Sequence, residues 1–345
     1  MNKLKFLIVL AIVGSLMFGV NFASALEPIP KESGFSGFIR PGAGYLWYKS
    51  NMVASFLGYD LSEKKTNSLN DSPDSQSNTL GLAPFLLAYT FAGTRTQLFL
   101  GTELTDFARF DYNQQLAVKQ EIGRLGLIQA GILASNIPAK VWKDPYLINQ
   151  NRQETTRQST GVRLAWDRIG GSKLQLQYTY RHVDISSEQS GQSLGLTSSQ
   201  RSLLRRDTDI HTGEVLYLFN LGGGHSLAPA FAYTYDDSEG NAMKNDAYDF
   251  KLTYAYLGDP FTFTVNGSIG WADYDHKNPI YGKTQNDDNY QIQGTIYYKN
   301  PWNWSLFGSK PMNFYIGSAY SNTDSNIDFY DEEGFLASAG VLFKW

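Results

Sequence analysis

Cysteine is absent from all 345 residues, so the chain can form no disulfide, thiolate nucleophile or cysteine-ligated metal site. Histidine is scarce, limited to His182, His211, His225 and His276. That leaves little material for imidazole acid–base chemistry or metal binding. Arginine stops at Arg206, although the chain runs on to Trp345. Beyond the first two dozen residues no apolar run reaches the ~20 residues of a spanning helix. The next most apolar stretch, Leu80 to Phe91, is interrupted by Pro84. No Pro/Ser/Gly linker divides the chain, and a net charge of −4 disfavours nucleic acid as a partner.

What is present starts with the N-terminus. Lys3 and Lys5 precede an apolar stretch from Phe6 to Val20, and Ala23-Ser24-Ala25 offers a small-residue cleavage site. The expectation is a cleaved secretory signal over 1–25. A short periplasmic segment over 26–34 and one barrel over 35–345 should follow.

Aromatics make up 14% of the chain, yet mean hydropathy is only −0.32. Abundant aromatics with a mildly polar average fit one lipid face and one wet face. Period-two alternation supplies the geometry. Leu174, Leu176, Tyr178 and Tyr180 alternate with Gln175, Gln177, Thr179 and Arg181; Phe250, Leu252 and Tyr254 alternate with Lys251 and Thr253. At the end, Phe335, Ala337, Ala339, Val341, Phe343 and Trp345 share one face, the pattern of a barrel-closing strand.

The spacing predicts fourteen strands, at 35–48, 78–91, 95–105, 114–122, 125–134, 157–168, 173–185, 207–220, 225–236, 246–257, 261–275, 287–299, 312–322 and 329–345. Twelve is the alternative if Gly123 to Gly126 is a bulge instead of a turn. The fold class is all-β, a transmembrane antiparallel up-and-down barrel in the bacterial outer membrane. Short turns such as Gly170-Gly171-Ser172 and Leu221 to Gly224 alternate with long polar connections, including 49–77. That is the asymmetry of such barrels. The expected partners are membrane lipid, lipopolysaccharide, small hydrophilic solutes and, through the C-terminal strand, the barrel-assembly machinery.

The stretch Glu27 to Phe38, then Tyr48-Lys49-Ser50-Asn51-Met52, Val141-Trp142-Lys143-Asp144-Pro145-Tyr146 and Trp166-Asp167-Arg168-Ile169 carry a resemblance. They resemble a family of uncharacterised proteobacterial exported proteins. The resemblance implies an outer-membrane barrel and brings no catalytic or binding residues.

Chemistry is thin. His182 and His211 flank one long loop near Asp184 and Asp209, which suits a metal in number of ligands only. A Ser-His-acid hydrolase is a further alternative, but no Gly-x-Ser-x-Gly occurs. Asp331-Glu332-Glu333 reads as solvated loop acid, and Gly222-Gly223-Gly224 as a hairpin turn, not a phosphate loop. No metal, cofactor or catalytic residue is assigned.

Charge is segregated along the chain. From Leu26 to Arg206 there are twenty Lys and Arg against fifteen Asp and Glu, net +5. From Asp207 to Trp345 there are seven against eighteen, net −11. Closed into a barrel, the two halves become facing walls, and charged linings give pores their selectivity. Arg40, Arg157, Arg163 and Arg181, with Lys119, are the expected basic lining; Asp249, Asp273 and Asp275 the acidic one. Asn136 to Gln150 is apolar for a loop, with Ile137, Val141, Trp142, Tyr146 and Leu147. An exposed apolar cluster wants cover, so this segment should fold into the mouth and narrow it. The function these features imply is a passive channel for small hydrophilic solutes, anionic or zwitterionic. The main alternative is a surface-interaction or structural barrel with a blocked lumen.

Overall fold

The computed structural model describes residues 28–103, 112–300, 302–305 and 308–345. The expected signal segment 1–25 lies outside the described residues.

Fourteen antiparallel strands close on themselves. Strand 1 runs as Gly34–Ile39 and Gly42–Lys49, broken at Arg40-Pro41, and strand 2 as Ser75–Leu82 and Phe85–Phe91, broken at Ala83-Pro84. Proline removes a ladder donor, so each break falls where the sequence places one. Next come strand 3, Thr96–Glu103; strand 4, Tyr112–Glu121; and strand 5, Leu127–Ile137, which continues past Pro138 as Ala139–Trp142. Strand 6 is Glu154–Asp167 and strand 7 Leu174–Ile185; strand 8 runs as Thr208–Tyr217 and Phe219–Gly222. His225–Ser238, Asn245–Leu257 and Phe261–Lys277 are strands 9 to 11, followed by Thr284–Lys299, Asn313–Ser325 and Glu332–Lys344 as strands 12 to 14.

Closure pairs strand 14 with strand 1, with Leu336 opposite Leu46 and Phe343 opposite Ile39. Gly37 and Trp345 exchange both backbone hydrogen bonds, at 3.1 and 3.2 Å. A closed sheet has no edge, which is what lipid requires of a β-structure. Leu116, Ile132, Leu164, Phe250, Ile269, Ile296 and Ile316 stand exposed on the outer face. In water such a band would be untenable; against acyl chains it is the solvated surface. Aromatic pairs edge the band: Tyr217 with Phe219 and the stacked Trp302–Trp304 near the turns, Tyr233 with Tyr248 nearer the long loops. They have the amphipathic rings that favour the lipid–water interface.

Short turns gather at one rim. The Gly222 to Gly224 turn holds three successive residues at φ of 85°, 59° and 85°, a conformation only glycine adopts without strain. Gly123–Leu125 is a turn between strands 4 and 5, so the fourteen-strand count holds over twelve. Under this rim Arg95 donates to the Ile29 and Pro30 carbonyls at 2.6 Å each and ties down the segment before strand 1.

The long connection after strand 1 is not the polar external loop expected of 49–77. It turns inward as a hairpin of Val53–Phe56 and Tyr59–Asp60. Val53 and Ser55 pair with Val141 and Lys140 on the continuation of strand 5. Phe56 and Leu61 are buried inside the barrel against Leu46, Leu80, Leu82 and Leu336. The hairpin thus fills one side of the lumen with an apolar core.

Candidate functional site

The other side of the lumen holds a cavity of about 540 Å³, lined from strands 6 to 14 and by Tyr48, Met52, Val53, Ala139 and Val141. That volume lies within the roughly 300–1,000 Å³ range of small-molecule pockets. Period two decides which side chains reach it. Arg157 and Arg163 alternate inward with exposed Val162 and Leu164 on strand 6, and Arg181 does so on strand 7. Asp236 and Asp249, on strands 9 and 10, and Asp287 and Glu332, on strands 12 and 14, line the cavity as well. Glu214 also lines it and is paired with Lys251 at 2.6 Å.

One hydrogen-bonded row joins the two signs of charge. Arg163 pairs in register with Thr179, then Thr212, Thr234, Ala247, Ala272 and Asp287. Every side chain between the end members is small, so the row leaves open space beside it. Strand 6 and strand 12 of fourteen lie nearly opposite each other. Barrel strands tilt, so the row also climbs: Arg163 is near the turn end of its strand, Asp287 near the loop end of its own.

The acidic end is held by hydrogen bonds. Asp287 accepts from Gln285 Nε2 at both carboxylate oxygens, at 2.9 and 3.1 Å, and is also bonded by Tyr274 and Ser325. Asp236 accepts from the hydroxyls of Thr208 and Ser238. Glu332 accepts from Ser50 Oγ at 2.6 Å and Tyr48 Oη at 3.0 Å. Ser50 Oγ in turn accepts from the Met52 and Val53 amides, which pins the entrance of the inward hairpin.

A cap roofs the cavity. Tyr146, Leu204, Met243, Ile327, Phe329 and Tyr330, from four separate loops, form a buried cluster, and Met52, Met243 and Tyr330 belong to cap and cavity alike. Trp142 and Tyr146 are 1% and 0% exposed. Trp142 donates from Nε1 to Ser62 Oγ at 3.0 Å, and the Arg152 guanidinium lies 4.5 Å from its ring. Arg152 also donates to the carbonyls of Asn51, Pro145 and Glu63, joining the inward hairpin to the loop after strand 5. Burial pulls its pKa down to about 10, with Glu63 acting the other way, so it stays charged at neutral pH. Glu188 grips Arg206, which donates at 2.7 and 3.1 Å and also binds the Trp142 carbonyl. Burial pushes the Glu188 carboxyl up, but the charge and hydrogen bonds of Arg206 outweigh it and hold it below the usual glutamate range. Asp144 accepts from the Tyr146, Gly191 and Ser193 amides and so fixes the apolar segment to the next loop.

Several expected residues fall elsewhere. Asp273 and Asp275 face outward, because they share the parity of exposed Trp271 where strand 11 rises above the apolar band. Asn286 donates to Asp273 there. Ile137 is 42% exposed on the outer face, since the chain turns inward only after Pro138. Arg40 points inward but away from the cavity, donating to Tyr297 Oη at 2.9 Å with its guanidinium over the Tyr315 ring. Lys119 is buried inside strand 4, away from the cavity lining. Leu147 is half-buried beside the cap. His182 and His211 both lie on the outer face around Asp209: His182 Nδ1 is 2.9 Å from Asp209, and His211 bonds Tyr178 Oη at 2.8 Å. Asp184 is exposed on the same face. Among the described residues no group of three or more His, Cys, Asp or Glu could hold a metal ion.

Sequence reasoning missed Ser50, Asp236, Gln285, Asp287 and Glu332. The alternation that gave Arg157 and Asp249 also marks Asp287, since exposed Tyr290 and Ile296 set the opposite parity. Val53 to Leu57, apolar except for Ser55 and closed by Gly58, marks a segment that needs cover without saying where it would find it.

Among solved structures the chain is similar to the outer membrane channel DcaP of Acinetobacter baumannii, at 9% identity and TM-score 0.43 over 91% of this chain and 97% of that one. It is also similar to OmpT, an outer membrane protein of Vibrio cholerae, at 10% identity and TM-score 0.42 over 92% and 99%. OpdQ of Pseudomonas aeruginosa is similar at 10% identity and TM-score 0.37 over 90% and 98%. No curated protein matches the sequence. A family profile matches residues 34–344, the whole barrel, and the chain therefore belongs to the family described as "Protein of unknown function (DUF2860)".

Proposed function

We propose that this barrel is a passive channel of the bacterial outer membrane for small charged hydrophilic solutes, anionic or zwitterionic. The observation that carries the reading is the cavity of about 540 Å³ inside the lumen, lined by Arg157, Arg163 and Arg181 from strands 6 and 7 and by carboxylates from strands 8 to 14. A purely structural barrel has no need of desolvated charges facing an internal space, which are costly to hold. Charges placed there attract hydrophilic solutes and discriminate among them. The cap around Trp142 and Tyr146, with the inward hairpin, sets the size limit, and passage depends on how far these loops part.

Planar-bilayer recording on refolded protein tests this. Discrete openings that shrink as solute size rises are expected; a silent protein would sink the channel. The apolar cap and hairpin core favour one competing reading, a blocked barrel whose long loops bind partners. Deleting the hairpin, residues 53 to 60, separates the two. In a channel the deletion enlarges the openings, whereas in a blocked barrel it creates openings that the intact protein lacks.

A further inference from the structure

Strand 12 places an amide or a carboxylate at five successive inward positions: Gln285, Asp287, Asn289, Gln291 and Gln293. The first four line the cavity, and at about 3.3 Å per residue they cover about 20 Å of its height. The strands on either side keep low. Ala272, Gly270 and Ser268 on strand 11, and Ser325, Thr323 and Ser321 on strand 13, stand opposite Asp287, Asn289 and Gln291. The ladder of longer side chains is therefore clear of its neighbours and open to the lumen.

Its hydrogen bonding is incomplete. Gln285 is 3% exposed, its Nε2 is spent on Asp287, and its Oε1 is buried with no donor. Gln293, just below the cavity, is 2% exposed and has the same orphaned oxygen. Asn289 accepts from Thr323 Oγ1 at 2.7 Å, which leaves its Nδ2 hydrogens to donate. Among the described residues no hydrogen bond or ion pair holds the Gln291 side chain. A buried polar group left unpaired is costly, so such groups call for a partner.

One row across the wall sharpens the chemistry. Asp249 pairs with Gly270, and Gly270 with Asn289. A Cβ on Gly270 would collide with Asp249 Oδ1, so the glycine lets this carboxylate lie across strand 11 toward Asn289. Asp249 has no hydrogen-bond or ion-pair partner among the described residues. Donors alone would suit an anion, and carboxylates alone a cation. A carboxylate acceptor beside an amide donor, repeated by amides above and below, suits hydroxyl groups, each of which donates and accepts. The rings of Tyr274 and Tyr330 line the same cavity and offer apolar faces to a carbon skeleton.

We propose that the strand 12 ladder is a binding track for polyhydroxylated solutes of the sugar-acid class. Their hydroxyls exchange hydrogen bonds with Gln285, Asn289, Gln291 and Asp249. The proposal deepens the channel reading and rests on it, because a solute must enter the lumen to meet the track.

Two acids of similar length and equal charge test it. Gluconate carries a hydroxyl on every carbon beyond the carboxylate, whereas methoxyethoxyethoxyacetate has ether oxygens that accept but cannot donate. Both are titrated by calorimetry into the refolded full chain in detergent. Gluconate is expected to bind at least about tenfold more tightly. Gln291→Leu should cut that preference at least about threefold by weakening gluconate, and leave the ether acid unmoved. Equal affinity for the two acids, no binding of either, or an undiminished preference in Gln291→Leu would overturn the track. Should that variant fail to refold, Asn289→Ala carries the same expectation. Bilayer recording on the same preparation keeps the two readings apart. Openings without preference for gluconate sink the track and leave the channel; preference without openings leaves the track and sinks the channel.

Discussion

The hydroxyls of Tyr146 and Tyr330 lie 2.6 Å apart, and Asn278 donates to the latter at 2.7 Å. Two phenols buried in the cap thereby tie the loop after strand 5 to the loop before strand 14. Burial raises both pKa values above the usual tyrosine range, so both stay protonated and able to donate.

Removing that tie should loosen the cap without unfolding the barrel. Tyr146→Phe loses a net hydrogen bond, about 1 kcal/mol, and cleavage after the neighbouring Lys143 by trypsin should speed up roughly fivefold, while the barrel keeps its heat-resistant gel mobility. Unchanged cleavage would mean that packing, not this bond, holds the cap.

Arg152 should prove irreplaceable by lysine. Its guanidinium reaches three carbonyls and covers the Trp142 ring, geometry that a point-charge ammonium cannot reproduce. Both Arg152→Lys and Arg152→Ala are expected to release the inward hairpin, read as larger single-channel conductance. A wild-type conductance in Arg152→Lys would show that charge alone suffices.

Acid should open the same region. Glu188 is held below its ordinary pKa by Arg206, so its contribution to cap stability is complete above the pKa of the unfolded chain. That contribution is lost as pH falls from the ordinary glutamate range through the depressed folded value. Loop proteolysis by an acid-active protease should therefore rise steeply there, and Glu188→Gln should show the looser behaviour already at neutral pH. A variant as protected as wild type at pH 7 would contradict this.

Charge reversal at Arg157, Arg163 and Arg181 to Glu should move the reversal potential in a salt gradient toward cations. The same change at Asp273 or Asp275, on the outer face, should leave it in place. Equal shifts from both sets would place the conduction path elsewhere.

The barrel seam offers a stability test. A Cβ on Gly42 would sit 2.0 Å from Tyr315 Oη and 2.7 Å from the Ala339 carbonyl oxygen. Gly42→Ala must push strand 1 off strand 14, at a cost of roughly 1–3 kcal/mol. The temperature at which the protein loses its compact gel mobility should fall. Gly81 on strand 2 has open space at its Cβ position, and Gly81→Ala should leave that temperature unchanged.

The membrane architecture was legible because lipid enforces strict alternation: Leu174 to Tyr180 and Phe335 to Trp345 could lie only one way in a closed sheet. Arg157, Arg163, Arg181 and Asp249 followed from the same rule. Asp273 and Asp275 share the parity of Trp271 and so face outward, against the expectation from charge; once strand 11 rises past Trp271, acids are free to face water. The inward hairpin was missed for another reason. Loop residues obey no period, and nothing local tells whether Val53 to Phe56 seeks lipid, lumen or a partner until the edge offered by Lys140 and Val141 is in place.

The climb of the Arg163–Asp287 row sets a guanidinium and a carboxylate at different heights as well as on different walls. A dipole held flat in the membrane plane feels no work from a transmembrane voltage, but one held partly upright does, up to about 2.3 kcal/mol per charge per 100 mV for full crossing. Tilted strands thus give this lumen an electrical polarity along the membrane normal as well as across it.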